Sequence, residues 1–339
     1  MTLAKALDIA ARGDEVPGPV VQAAFAEIVG GAASPVAVAG FLVALRTKGE
    51  TVGEIVAAAR ALRAVAESAP LPDPRCIDTC GTGGDGAGTF NISTAAAFVV
   101  AGAGVPVAKH GNRAATSRAG SFDVLEALGV RADLPVEIAA RIVREVGIGF
   151  FFARRAHPAM RHVAPIRTEL GIRTIMNCLG PLLNPVGVRR QVVGVYDVSL
   201  VEPLARALGE LGAERALVVH GDDGLDELTT TAASRTAFWD GRTVTCGTVD
   251  PESLGIRRVA PAALAGGDAD ENAIIVRGVL EGEAGPARDI VRLNAGAALW
   301  VAEAAANLAA GLQLATESLD AGHAAAKLDQ LIEASGSAR

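Results

Sequence analysis

Apolar residues recur every three or four positions through the first 66 residues of the chain, and no alternating pattern interrupts them. This spacing predicts amphipathic helices that pack on one another. Ser34-Pro35 is a helix start signal, and Lys48-Gly49 is a stop signal. The helical segments are expected from Leu3 onward and then over 20–29, 36–45 and 51–66. A proline-rich linker at 70–74 follows, so we expect a small all-helical domain at the N-terminus.

From residue 75 the pattern changes to short β runs, most of them separated by helices of roughly 10 to 15 residues. Strands are predicted at 76–79, 105–108, 149–152, 192–195, 216–220 and 273–276, with a hairpin-like stretch over 235–244. Such alternation predicts an α/β fold with a mostly parallel central sheet flanked by helices. Residues 157–177 look helical again and are expected to pack on the N-terminal helices. The predicted domains are a helical domain of 1–70, joined by helices from about 157–180, and an α/β domain of 71–156 and 181–339.

The composition narrows the class of protein. The net charge of −7 and the pI near 5.4 disfavour a nucleic-acid binder, because such a protein needs a basic face. No charge-free apolar span of about 20 residues occurs, and no signal peptide is expected, so we predict a soluble protein without membrane association. The four cysteines are too few for a disulfide framework, which favours free thiols in a reducing cytoplasm.

The stretch at 76–94, CIDTCGTGGDGAGTFNIST, joins a predicted strand to a predicted helix through a glycine-rich loop. Asn91, Ser93 and Thr94 stand at the helix start, where their side-chain oxygens are expected to accept hydrogen bonds from free backbone N–H groups. Converging N–H groups and the helix dipole favour a bound anion. The loop is therefore predicted to hold a phosphorylated ligand; a tight structural turn is the alternative interpretation.

The same loop matches G-x-G-x-x-G at Gly81, Gly83 and Gly86, which suggests a dinucleotide site. That site needs an acidic residue about 20 positions further on to hold the ribose hydroxyls. The chain has Lys109-His110 there instead, and a cation at the end of the next strand suits a further phosphate. The mononucleotide P-loop is excluded as well, since no Gly-Lys-Ser/Thr follows the glycines.

Two further polar segments follow predicted strands, at the edge of the sheet where ligands bind. In residues 109–121, Lys109 and the hydroxyls suit phosphate oxygens, and Ser121 is placed to cap the next helix. Residues 220–229 contain adjacent carboxylates, and Mg²⁺ prefers a few carboxylates together with waters and substrate phosphates. The alternative interpretations are a solvated loop and an Asp-Gly turn. The pattern favours an anion site beside a magnesium site.

A fourth segment, residues 154–167, is rich in arginine and histidine. On a helix, Met160, Val163 and Arg167 would share one face. An arginine beside an apolar surface can hold the carboxylate of an aromatic acid through two hydrogen bonds. Taken alone, this segment is more typical of surface arginines on an ordinary helix.

Together these segments resemble the anthranilate phosphoribosyltransferases of tryptophan biosynthesis. The resemblance covers nearly the whole chain. The motifs that stand in that family's order and spacing are Gly81-Thr82-Gly83-Gly84-Asp85, Asn91-Ile92-Ser93-Thr94, Lys109-His110-Gly111-Asn112-Arg113, Leu179-Gly180-Pro181-Leu182-Leu183-Asn184-Pro185 and Asp226-Glu227-Leu228-Thr229. Two departures are mild: Arg118 stands where lysine is frequent, and Ala114-Ala115-Thr116 replaces a more serine-rich run.

The resemblance implies a cytoplasmic homodimer formed through the helical domain, with an α/β domain of the nucleoside-phosphorylase type. It implies transfer of the 5-phosphoribosyl group of phosphoribosyl pyrophosphate to the amine of anthranilate. The products would be N-(5-phosphoribosyl)anthranilate and pyrophosphate. We expect a tryptophan-biosynthetic transferase that uses Mg²⁺ and binds neither nucleic acid nor membrane.

The resemblance also implies the residues of each subsite. It places Mg²⁺ on Ser93, Asp226 and Glu227. It places anthranilate near Gly81, Asn112 and Arg167, with Met160 close, and His110 close as a candidate for positioning. It places phosphoribosyl pyrophosphate on Gly81, Gly84, Asp85, Thr89, Asn91, Ile92, Ser93, Thr94, Lys109, His110, Gly111, Asn112, Arg113, Ala114, Ala115, Thr116, Ser117 and Ser121.

Two other functions are weighed against this one. A pyrimidine nucleoside phosphorylase resembles the fold and uses phosphate as acceptor, but the Asp226-Glu227 pair and the Asn112 segment weigh against it. A catalytically idle relative that binds nucleic acid should lack the metal carboxylates and carry a basic surface. This chain has the carboxylates and a negative net charge.

Overall fold

The N-terminal part of the chain is helical in this computed structural model, which describes residues 2–114 and 118–338. Its helices are α1 (Thr2–Ala11), α2 (Gly18–Val29), α3 (Pro35–Lys48) and α4 (Val52–Arg63). The Ser34 side chain caps α3, and Thr51 forms a capping box with Glu54 at the start of α4. The predicted helical N-terminal segment is confirmed.

A seven-stranded sheet occupies the rest of the chain, in the order β3-β2-β1-β4-β5-β6-β7. Its strands are β1 (Ile77–Gly81), β2 (Val107–Gly111), β3 (Ile148–Phe152), β4 (Arg190–Gly194), β5 (Arg215–Gly221), β6 (Ser234–Trp239) and β7 (Val244–Val249). Strands β1 to β5 are parallel, and β6 and β7 are antiparallel. The strand order reverses between β1 and β4, so their carboxyl ends flank the crevice in which such sheets bind ligands.

Helices cover both faces of the sheet, and β4 runs between the two largest hydrophobic cores of the described residues. Val192 of β4 faces the core that the C-terminal helices build, whereas its neighbour Val193 faces the core that the N-terminal helices build. The mostly parallel α/β fold with a helical N-terminal part is therefore confirmed. The further helices are α5 (Ile92–Gly102), α6 (Ser121–Ala127), α7 (Val136–Val146), α8 (Ala153–Ala156), α9 (Ala164–Leu170), α10 (Ile175–Leu179), α11 (Val201–Glu210), α12 (Ala269–Leu280), α13 (Pro286–Val301), α14 (Leu308–Asp320) and α15 (His323–Ser337).

The strand predicted at 273–276 is wrong, because these residues lie inside helix α12. Asp268 and Glu271 form a capping box at the start of α12. A short apolar run fits a buried helix as well as a buried strand, and here the flanking cap is the deciding signal. The hairpin predicted at 235–244 is confirmed as the antiparallel pair β6 and β7.

The helical segment predicted at 157–177 is divided into three pieces. A 3-10 turn (Pro158–His162) precedes α9 and α10. Gly171 ends α9 with a left-handed φ of +60°, which glycine adopts without steric cost. As expected, the segment returns to the N-terminal helices: α9 packs on α3, and α10 packs on α3 and α4. None of the described helices is long and apolar enough to cross a membrane.

Candidate active site

The glycine loop follows β1, at the point where the strand order reverses. Gly83, Gly84 and Gly86 have φ values of +66°, +77° and +74°, a region that side chains with a Cβ rarely adopt. The Gly83 N–H donates a hydrogen bond to the Asp226 carboxylate at 2.7 Å. The loop that is predicted to hold an anion therefore contacts a carboxylate of the segment that follows β5.

The start of α5 meets the second carboxylate of that segment. The Ser93 N–H donates to Glu227 Oε1 at 3.1 Å, so Glu227 satisfies a backbone donor that a helix leaves free. The predicted cap by the Asn91 side chain is wrong, since that side chain forms no cap hydrogen bond. Asn91 instead accepts from Asn272 at 3.0 Å and donates to the Ala119 carbonyl at 3.3 Å.

Asp226 and Glu227 are held close to each other and to Asp85, and all three side chains are half-buried. Burial, followed by the charges of Asp85 and Glu227, raises the pKa of Asp226 well above its ordinary value. Burial also raises the pKa of Glu227 to about 7, and the charge of Lys109 opposes that rise. Crowded carboxylates with raised pKa values are typical of a site that takes a cation or a proton.

The oxygen donors present fit a magnesium ion that shares its ligands with a substrate. Within 2–114 and 118–338, no group of three or more His, Cys, Asp or Glu side chains is arranged to hold a metal by itself. The Glu227 carboxylate beside Ser93, with the adjacent Asp226 carboxylate, suits Mg²⁺, which takes its remaining ligands from waters and phosphate oxygens. The predicted metal residues Ser93, Asp226 and Glu227 are thus brought together by the fold.

Two paired glycines let the Asp226 segment approach the sheet. Gly81 ends β1 and pairs in register with Gly194, which ends β4. A Cβ on Gly81 would lie 2.5 Å from Asp226 Oδ2, and a Cβ on Gly194 would lie 1.5 Å from the Asp226 carbonyl oxygen. Glycine is required at 194, where the neighbour is the Asp226 main chain, whereas a Cβ at 81 would displace the Asp226 carboxylate.

Lys109 lies in the interior between β1 and α5, with 2% of its surface exposed. Its Nζ donates to the Thr79 carbonyl and to Ser93 Oγ, the latter at 3.2 Å. Lys109 therefore places a positive charge beside Ser93 and the Glu227 carboxylate. The glycine loop with Ser93, Lys109, Asp226 and Glu227 is called the donor half of the site below.

The remaining predicted donor residues lie around this cluster. Thr89 forms a β-bridge with Ala265, and Ile92 and Thr94 are buried at the start of α5. Arg113 pairs with Asp123 and Glu126 of α6. The predicted positions 115–117 (Ala115, Thr116 and Ser117) lie outside the described residues.

The predicted cap of α6 by Ser121 is wrong, because Gly120 is the N-cap residue. The Asp123 carboxylate accepts hydrogen bonds from the Gly120 and Ala114 N–H groups at 2.8 and 2.9 Å. Ser121 Oγ instead donates to the Asn112 carbonyl at 3.1 Å. Asp123 thus replaces the serine as cap and holds both ends of the loop that follows Gly111.

The acceptor half is defined by Arg167 on α9, Met160, Asn112 and His110. Within the described chain, the Arg167 side chain makes no hydrogen bond or ion pair, and burial lowers its pKa. Because α9 begins after Val163, the single helical face predicted for Met160, Val163 and Arg167 does not exist. The Arg167 guanidinium, which is partly desolvated and has no partner among the described residues, is suited to an anionic ligand with an apolar body.

His110 is buried and held as a neutral imidazole. Burial, followed by the neighbouring His157, lowers the pKa of His110 to about 3. Its Nδ1 lies 3.3 Å from the Gly180 carbonyl, which can only accept, so the ring is protonated at Nδ1. Nε2 is then an acceptor, and it is without a hydrogen-bond partner in the described residues.

Asp78 and Asn184 support this region, although the sequence motifs predict no role for either residue. Asp78 accepts from the His110 N–H at 3.2 Å and from Asn184 Nδ2 at 2.8 Å. Burial raises the pKa of Asp78 to about 6. A carboxyl residue inside an apolar strand pattern is the sequence signal that could have identified Asp78.

Comparisons with known proteins agree with this geometry. Residues 73–325 match the model of the family described as "Glycosyl transferase family, a/b domain", and residues 9–66 match its helical bundle domain. The anthranilate phosphoribosyltransferase of Rubrobacter xylanophilus is 53% identical over 98% of this chain and 97% of its own length. That of Thermomicrobium roseum is 55% identical over 91% of this chain and 90% of its own length.

Solved structures give the same result. The crystal structure of anthranilate phosphoribosyltransferase from Thermus thermophilus matches with a TM-score of 0.93 and 44% identity, covering 98% of this chain and 99% of that one. The enzyme from Saccharomyces cerevisiae in complex with PRPP and Mg matches with a TM-score of 0.89 and 28% identity, covering 99% and 98%. A further structure of the yeast enzyme is in complex with 4-fluoroanthranilate.

Proposed function

This chain belongs to the anthranilate phosphoribosyltransferase family, and from that membership we propose that it transfers the 5-phosphoribosyl group of phosphoribosyl pyrophosphate to the amine of anthranilate. The products are N-(5-phosphoribosyl)anthranilate and pyrophosphate, in tryptophan biosynthesis. The observation that carries the proposal is the contact of Asp226 with the glycine loop and of Glu227 with the start of α5, where the strand order reverses. That arrangement serves a phosphorylated donor with a metal.

The donor half binds phosphoribosyl pyrophosphate together with Mg²⁺. Support for the metal comes from the oxygen donors of Ser93, Asp226 and Glu227 and from the yeast relative solved with PRPP and Mg. When bound, the ion neutralises the pyrophosphate and orients it as a leaving group. Lys109 adds a positive charge beside the carboxylates. Those amides of the glycine loop that have no acceptor among the described residues stabilise charge that grows on the leaving group.

The acceptor half binds anthranilate, with Arg167 holding its carboxylate. Asn112, Met160 and Gly81 are proposed to contact its ring or amine. The aniline nitrogen is a weak nucleophile, so the fold contributes by holding it against the anomeric carbon. His110 Nε2, an acceptor in the neutral ring, is proposed to orient the amine through one of its N–H bonds. A covalent protein nucleophile is not required, because pyrophosphate already leaves readily.

We propose that the helical domain comprises residues 1–70 and about 157–180, and that residues 71–156 and 181–339 form the donor-binding domain. The packing of α9 and α10 on α3 and α4 supports this division. We propose further a cytoplasmic homodimer through the helical domain, without nucleic-acid or membrane partners. The exposed Val36 on α3, with 83% of its surface accessible, supports a contact there.

The test is an assay for phosphoribosyl-anthranilate in the presence of Mg²⁺. The reaction is monitored through the loss of anthranilate fluorescence. We expect product only when anthranilate, phosphoribosyl pyrophosphate and Mg²⁺ are all present. A folded protein that gave no product would contradict the proposal. Phosphorolysis of thymidine by the same preparation would favour the nucleoside phosphorylase alternative instead.

A further inference from the structure

Arg173 lies in the short connection between α9 and α10, on the same segment as Arg167. Its guanidinium stacks over the ring of Tyr196, with 4.2 Å between the guanidinium carbon and the ring centroid. Arginine pairs with aromatic faces in this way through charge and through planar contact. Tyr196 follows β4, so the stack joins the helical segment to the edge of the sheet that carries the site.

The same guanidinium reaches the glycine loop. Arg173 Nη2 donates a hydrogen bond to the carbonyl oxygen of Gly84. The Tyr196 N–H donates to Thr82 Oγ1 at 3.0 Å, and the Thr82 N–H donates to the Gly194 carbonyl at 2.9 Å. The loop is thus held at Thr82 by the main chain of Tyr196, and at Gly84 by the side chain that Tyr196 stacks against.

The hydrogen bond to Gly84 fixes the direction of the next amide. In a trans peptide the carbonyl oxygen and the following N–H point to opposite sides of the chain. Holding the Gly84 oxygen toward Arg173 therefore aims the Asp85 N–H away from it. Within the described residues that N–H has no acceptor, so it is available to an anionic ligand. Gly84 has a left-handed φ of +77°, and because glycine has no Cβ this peptide can adopt other orientations unless a side chain holds it.

We propose that Arg173, stacked on Tyr196, is a positioning residue that holds the glycine loop in the conformation that receives the pyrophosphate of the donor. This inference rests on the proposed function. Arg173 acts through the Gly84 peptide, so its planar fork and its stacking matter and its charge alone does not. It also ties the donor loop to the segment that carries Arg167, which gives the two half-sites a direct mechanical connection.

The test compares Arg173→Ala, Arg173→Lys and Tyr196→Leu with Tyr196→Phe as the conservative variant and Arg144→Ala, an exposed arginine on α7, as the control. The first readout is hydrogen exchange of residues 82–90 in the free protein. We expect faster exchange in the first three variants and wild-type exchange in Tyr196→Phe and Arg144→Ala. Equal exchange in all five variants would overturn the proposal.

The second readout is the dissociation constant for phosphoribosyl pyrophosphate with Mg²⁺, measured by calorimetry. We expect a rise of about tenfold for Arg173→Ala and Arg173→Lys, as the loss of one positioned hydrogen bond implies. The KM for anthranilate at saturating donor should change less than about threefold. Wild-type binding by Arg173→Lys would overturn the proposal, because it would show that charge alone suffices. If the wild-type protein failed to bind the donor, the proposed function would fall, while the exchange result would still decide the role of Arg173.

Discussion

In the donor half of the site, half-buried carboxylates lie beside a buried lysine and backbone amides. In the acceptor half, Arg167 is half-buried, and His110 is buried against its neighbour His157, with 5.1 Å between the two ring centroids. None of these three side chains has an ion-pair partner among the described residues. The carboxylates of the donor half are pushed toward protonation, with Glu227 raised to a pKa of about 7. Burial instead drives the histidines of the acceptor half toward neutrality. The donor half is thus suited to bind a cation, and the acceptor half is suited to bind an anion with an apolar body.

The largest effect is expected from removing a donor-half carboxylate. Asp226→Asn and Glu227→Gln each take away a charged oxygen ligand, so product formation should fall about a hundredfold or more at saturating substrates. The measurement is the initial rate of anthranilate consumption across a Mg²⁺ titration. Asp222→Asn is the matched control, since Asp222 is in the same turn but pairs with Arg235 at the surface. A wild-type rate in Glu227→Gln would contradict its metal role.

The next effect tests the close approach at the strand ends. Gly194→Ala would place a Cβ 1.5 Å from the Asp226 carbonyl oxygen, so the segment carrying both carboxylates must move. We expect activity to fall more than about tenfold and the free energy of unfolding to fall by about 1–3 kcal/mol. Thermal unfolding and the Mg²⁺-dependent rate measure the two effects. Gly336→Ala, at a helical position with no atom within 4 Å of the added Cβ, is the control; equal behaviour of the two variants would exclude the steric argument.

Local sequence was sufficient to predict residues that act through their own segment. The β5 strand predicted at 216–220 lies within Arg215–Gly221. Of the adjacent carboxylates that follow it, Asp226 reaches the glycine loop and Glu227 reaches the start of α5. The roles of Gly194 and Tyr196 could not be predicted, because they arise only when β4 is placed beside β1. Which partner caps the α5 N-terminus was likewise decided by tertiary contact: Glu227, distant in sequence, takes the place expected for Asn91.

Anthranilate binding in the acceptor half is tested most directly by a substitution of Arg167. Without the guanidinium the anthranilate carboxylate loses a two-point partner, so Arg167→Ala should raise the KM for anthranilate at least about tenfold. The KM for phosphoribosyl pyrophosphate should change far less, since the donor half is intact. Steady-state kinetics with each substrate varied in turn measures the difference. Arg161→Ala removes an exposed arginine of the same segment as a control. Equal rises in both KM values would refute the carboxylate role.

The smallest effect concerns the acid stability of the acceptor half. Burial lowers the pKa of His157 from 6.5 to about 4, so the fold favours its neutral form. The stability that this group contributes is complete above pH 6.5 and is lost as the pH falls toward 4. In His157→Gln, the glutamine amide can still donate to the Leu183 carbonyl. Between pH 7 and 5 the free energy of unfolding of this variant should fall by less than that of the wild type, and the difference should reach up to about 2 kcal/mol.

Urea unfolding at the two pH values measures this difference directly. His162→Gln, at an exposed histidine of the same segment, should keep the wild-type pH dependence. Parallel pH profiles for His157→Gln and the wild type would show that desolvation of this histidine does not govern acid stability. The raised pKa values of the donor-half carboxylates favour the folded state as the pH falls, which is opposite in sign to the histidine effect. A free energy of unfolding that depends less on pH in His157→Gln, but not in His162→Gln, would therefore assign the loss of stability at low pH to His157.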